Sequence, residues 1–171
     1  MTAEPNDGTG SVRGKLAAFG LAGFVAGLLV AALAVKMLMP GMMIVTHQSR
    51  YDVEGTVSTL REAIKAEGWA VAGVKNMRRS MAGHGVEFPR EVRVVQLCNA
   101  DYAAEVLADS RRVSCLMPCS ISVWEADDGT VRISRMNTRL MGKMFGGTVA
   151  RVMGGSVARD EEAVLEAVVA D

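Results

Sequence analysis

From Leu16 to Val35 the chain runs for 20 residues without a charge, an Asn, Gln, Ser, Thr or Pro. A helix of that length is about 30 Å long, the thickness of a bilayer's hydrocarbon core. Met37, Leu38 and Met39 extend the apolar run past Lys36. The pattern therefore predicts one transmembrane helix over 16–39. The preceding residues 1–15 are polar, contain Pro5, Gly8 and Gly10, and read as a disordered tail. Residues 40–50 open with Pro40-Gly41 and read as a linker.

Beyond the linker the period changes. Asp52 is a good N-cap for a helix over 53–67, with Val53, Val57, Leu60 and Ile64 on its inner face and Gly68 ending it. Trp69 to Val74 reads as a strand, and 77–91 as a loop with one short helical turn. Val92 to Leu97 reads as a buried strand. Asn99 then caps a helix over 100–109, with Ala103, Ala104 and Leu107 inward. Residues 113–117 are a strand candidate stopped by Pro118. Ser120 to Glu125 and Val131 to Met136 are two more strands. The loop Asp127-Asp128-Gly129 fits a three-residue hairpin, which sets Val123 against Ile133 and Trp124 against Arg132. One core of Val57, Leu60, Ile64, Val94, Leu97, Leu107, Val123 and Ile133 follows. The fold class is α+β: a two-layer sandwich of helices on a largely antiparallel sheet, over 51–140. Residues 141–171 read as a separate helical tail.

Charge adds orientation. Arg13 and Lys15 precede the apolar run and Lys36 follows it, so the excess of basic residues puts the N-terminus in the cytoplasm. The globular part is then exported, in the periplasm for a Gram-negative cell. A cleaved signal peptide is the alternative, because Ala32-Leu33-Ala34 has the small-x-small pattern. The length of the run favours a retained anchor. Gly23, Gly27 and Ala31 form a small-residue stripe through which a homodimer or a membrane-protein partner would pack. Lipid is the partner the anchor implies. The 19 basic and 19 acidic residues cancel, and no basic stripe interleaved with aromatics appears, which argues against nucleic acid.

Three cysteines carry the candidate chemistry. Cys98 ends one strand and Cys119 begins another; if those ends are neighbours, the thiols could form a disulfide, hold a soft metal or exchange with a substrate thiol. The alternative is that both are small buried hydrophobes. Cys115 is about 13 Å from Cys119 in an extended chain, too far for a disulfide. His47 and His84 have no ligand pattern around them and read as surface residues. Asp160-Glu161-Glu162 is explained by the preference of a helix start for negative charge. With no complete catalytic set, the chain reads as a binding or interaction module and no cofactor is specified. The alternative is thiol-dependent redox, sulfur or soft-metal handling.

Three stretches in order carry a resemblance: Val53 through Val71; Val95-Gln96-Leu97-Cys98-Asn99; and Leu116-Met117-Pro118-Cys119 with the hairpin that ends in Met136-Asn137. Over 48–140 the chain resembles the bacterial and archaeal family known as domain of unknown function 302. The resemblance implies a small α/β domain, often behind a membrane anchor, with no settled activity. It marks Cys98, Asn99, Pro118, Cys119, Met136 and Asn137 as motif positions. Ala100 stands where that family commonly has Pro.

Overall fold

The computed structural model describes residues 8–170, with side chains from residue 23 on. The chain divides after Gly41 into two compact units. In the first, α1 (Gly8–Met43) is one helix, and its segment Gly23–Met43 is long and apolar enough to cross a membrane. Its large apolar side chains, Phe24 to Met42, are exposed. Residues 8–15, expected to be disordered, have helical backbone. Polarity alone does not end a helix once it has nucleated. Residues 1–7 of that expected tail lie outside the described residues. Gly23, Gly27 and Ala31 are exposed, and nothing described lies within 4 Å of a side chain added at either glycine.

The second unit is a five-stranded sheet in the order β1-β5-β4-β3-β2. Its strands are β1 (Ile44–Gln48), β2 (Ala70–Asn76), β3 (Val92–Cys98), β4 (Cys119–Glu125) and β5 (Val131–Met136). Every pairing is antiparallel. β1 corrects the linker expected over 40–50: Ile44, Val45 and Thr46 suit a pleated surface and pair along the otherwise open edge of β5. The hairpin has the expected register, Val123 against Ile133 and Trp124 against Arg132, with Gly129 at φ 79°. That left-handed φ is easy only for glycine.

The helices are α2 (Val53–Ala66), α3 (Met77–Ala82), α4 (Ala100–Asp109), α5 (Thr138–Phe145), α6 (Gly147–Arg151) and α7 (Ala158–Glu166). A π-helical stretch, Val152–Val157, joins α6 to α7. Asp52 caps α2 by accepting from the Gly55 amide at 2.7 Å, and Gly68 follows at φ 78°. Residues 113–117 are not a strand. Arg111–Leu116 form a 3₁₀ turn, because both edges of β3 are already taken by β2 and β4.

One core joins Val57, Leu60 and Ile64 of α2 to Leu97, Val123 and Ile133 of the sheet, as expected. Val95 replaces Val94 in it. A strand repeats every two residues, so the residue sharing a face with Leu97 must be odd-numbered. On α4, Val106 is buried and Ala104 exposed, which turns the expected inner face by part of a turn; Leu107 is half-buried. The segment after 140 is not a tail. Val149, Val152, Met153, Val157, Val164, Leu165 and Val168 complete the core, because α2 and α4 alone cannot cover five strands. α5 crosses this segment glycine on glycine: a Cβ on Gly142 would lie 2.6 Å from the Gly154 nitrogen. The chain then returns to its start. The Ala170 amide donates to the Gln48 carbonyl at 2.9 Å, and Ser49 bridges Val169.

Leu60 is fully buried at the centre of this core. Leu60→Ala is expected to cost about 2–5 kcal/mol of unfolding free energy in urea titrations, the range for a cavity in a packed interior.

Candidate functional site

β3 and β4 pair with Leu97 opposite Cys119, so the end of one strand and the start of the other lie side by side. Cys98 ends β3, and the next residue, Asn99, turns the chain into α4. Its side-chain oxygen accepts from the amides of Asp101 at 3.1 Å and Tyr102 at 3.2 Å. That cap brings Tyr102 and Ala103 over the strand ends. From the other side, Met117 and Pro118 lead into Cys119. Trp69 closes the wall: it packs edge-on against Tyr102, with ring centroids 5.7 Å apart, and donates its indole N–H to Asp160 at 3.2 Å.

These residues, with Leu97, Met153 and Val157, line a small apolar pocket, partly open to solvent, with about 20 Å³ of free volume. Cys98 and Cys119 both line it as free, half-buried thiols. Two cysteines and two methionines therefore face one small apolar space. Among the described residues, no three His, Cys, Asp or Glu side chains are grouped to hold a metal ion.

Behind Cys119 lies a buried polar cluster. Glu161, 2% exposed, accepts from Arg135 Nη1 at 3.1 Å and from the Thr138 hydroxyl at 3.0 Å on the same carboxylate oxygen. The Cys119 thiol lies beside this carboxyl and favours its ionised form. Burial pushes Glu161 up to about 7, against the opposing pull of Arg135, Thr138 and Cys119. Burial, Glu161 and Cys98 together push the Cys119 thiol up to about 12. At neutral pH Cys119 is therefore a protonated thiol and not a nucleophile.

The structure separates the sequence-marked residues into two groups. Cys98, Asn99 and Cys119 meet at the cavity, together with Pro118. Met136 and Asn137 lie outside its lining. Asn137 caps α5, accepting from the Leu140 amide at 3.0 Å, and its side-chain amide donates to the Met42 carbonyl at 2.9 Å. Cys115 is exposed on the 3₁₀ turn and is not in the lining; nor is His47 or His84. Sequence reasoning missed Glu161 and Arg135. The signal was periodicity: Glu161 falls in the stripe Ala158, Glu161, Val164, Leu165, Val168, and Arg135 shares the face of Ile133.

A family model described as Domain of unknown function DUF302 matches residues 45–168. The match begins in β1 and runs through the C-terminal helices, so it covers more than the 48–140 read from motifs. A crystal structure of an uncharacterized conserved DUF302 protein from Bacillus stearothermophilus aligns with a TM-score of 0.66. The two share 21% sequence identity over 74% of this chain and 98% of that one. At that identity the likeness is one of fold. No functionally curated protein matches the chain.

Glu161 binds its proton more tightly folded, near 7, than at the ordinary carboxyl value of 4.5. Its contribution to stability is therefore largest at acid pH and is lost as pH rises from about 4.5 to about 7. In paired urea titrations, wild type is expected to lose stability relative to Glu161→Gln across that window. A constant difference between the two would show that Glu161 titrates normally.

Proposed function

Because the chain belongs to the DUF302 family, whose description states no activity, we propose a function from the geometry: a membrane-anchored, exported binding module for a small uncharged apolar ligand. One observation carries this reading. The cavity is walled by Trp69, Tyr102, Met117, Pro118 and Met153, and its Cys119 thiol is protonated at neutral pH. A charged ligand would lose its hydration there without a charged partner in the lining. An uncharged one gains dispersion contacts from aromatic rings and polarizable sulfur.

The location is part of the proposal. It rests on the apolar segment Gly23–Met43 and on the Arg13 and Lys15 flank against Lys36 alone. An alkaline phosphatase fused after Asp171 is expected to be active, with the intact chain in the membrane fraction. An inactive fusion would reverse the topology, and a shortened, soluble product would establish signal cleavage.

Ligand binding is tested on the full chain in nanodiscs with ¹³C-methyl methionine, using xenon, a small apolar atom suited to a small apolar pocket, as the probe. The Met117 and Met153 methyl signals are expected to move on titration, while that of Met81, on α3 and outside the pocket lining, stays. Ala103→Phe, which fills the cavity from α4, should abolish the movement. Equal shifts at all three methyls would defeat the reading. A second reading, soft-metal binding, is favoured by four sulfur side chains lining one cavity. Stoichiometric Cu(I) uptake that is lost in the Cys98→Ser, Cys119→Ser double variant would put it first.

A further inference from the structure

One group of exposed apolar residues of the folded unit lies around the point where the chain leaves α1. Ile44 is the Cα partner of Met136 across β1 and β5, and the two are 58% and 39% exposed. α5 begins two residues after Met136, and half-buried Leu140 and 56% exposed Met144 lie four residues apart on one of its faces. Met42, 54% exposed, adds to the same patch from the chain exit. Exposed Lys143 borders the stripe on the helix surface. The opposite face of α5, with Thr138, Met141 and Gly142, is buried.

The start of α5 is tied to that exit. The Asn137 amide donates to the Met43 carbonyl at 2.8 Å, and its side chain donates to Met42 at 2.9 Å. Met42 and Met43 end the segment that is apolar enough to span a bilayer. If they end it at the membrane interface, covalent connection and these two hydrogen bonds hold α5 there as well.

We propose that the α5 face of Leu140 and Met144, with Met136, Ile44 and Met42, is a second membrane contact that lies in the lipid interface beside the anchor. This rests on the anchor reading and not on the cavity. An apolar stripe bordered by a basic residue, on a short helix lying in the plane of the interface, is the pattern that binds acyl chains on one side and anionic headgroups on the other. Continuity with the spanning segment is what selects lipid over a protein partner. The contact would fix which side of the domain faces the bilayer.

The test uses the full chain reconstituted in vesicles containing anionic phospholipid with bromine at shallow acyl positions. Met144→Trp places a reporter on the stripe, and Val86→Trp places a control on the exposed 77–91 loop. Both sites are exposed, so neither change disturbs packing. With the emission of Trp69 and Trp124 subtracted, the added fluorescence at 144 is expected to fall several-fold relative to unbrominated lipid, and that at 86 to stay unchanged. No quenching at 144 overturns the proposal; a blue-shifted but unquenched signal would assign the face to a second copy or another protein. Equal quenching at both sites also overturns it, since the domain would then have no preferred face. Flotation of the protein with the vesicles reports separately on the anchor. Loss of flotation would show that the anchor reading itself had failed, and the proposal with it.

Discussion

The folded unit is organised around one buried carboxylate. Glu161 of α7 receives Arg135 from β5 and Thr138 from the start of α5, with Cys119 from the start of β4 beside it. The consecutive elements β4, β5 and α5 thus meet α7 at one side chain. Such a pair is weak evidence for added stability, because removing two charges from water costs nearly what their attraction returns. It is strong evidence for a defined register. A β5 shifted by one residue would turn Arg135 to the other face of the sheet and leave Glu161 buried without a cation. Removing either partner alone would be costly for the same reason.

Burial of Cys119, with the same carboxylate beside it, sets the character of the cavity. A cysteine that is to attack a substrate needs a cation or a helix N-terminus nearby to hold its thiolate. Cys119 has instead an acidic neighbour and a second cysteine, both of which oppose its ionisation. Arg135 is spent on Glu161 and, at 3.8 Å, on Glu162. Placed this way, Cys119 acts as soft, weakly polar wall material.

Most of the helix-and-sheet plan was legible in the sequence, because its signals are local. Asp52 and Asn99 announce helix starts, Gly129 fixes the hairpin register, and period-four spacing marks the buried face of α2. Three kinds of error had physical causes. β1 was hidden because a single edge strand of five residues carries little pattern of its own. The 3₁₀ turn was mistaken for a strand because apolar content does not reveal whether a sheet edge is free. The C-terminal helices looked like a tail because glycine and methionine blur their periodicity, although Gly142 and Gly154 are there for close packing. At the site, the cysteines were visible as motif residues. Glu161 and Arg135 were not, since a charge in the core is meaningful only once its partner from another element is known.

The closure of the chain on itself has a mechanical consequence. β1 is an edge strand, and it is the first element after the apolar helix. A pull transmitted along that helix would load β1 at its end and peel it from β5 one hydrogen bond at a time, the weakest way to load a sheet. At the far end of β1, however, Arg50 is hydrogen-bonded to the Val168 and Val169 carbonyls, and Ala170 to Gln48. The tear would therefore stop at a clasp formed by the two ends of the domain, and tension would pass into α7 and the core behind it.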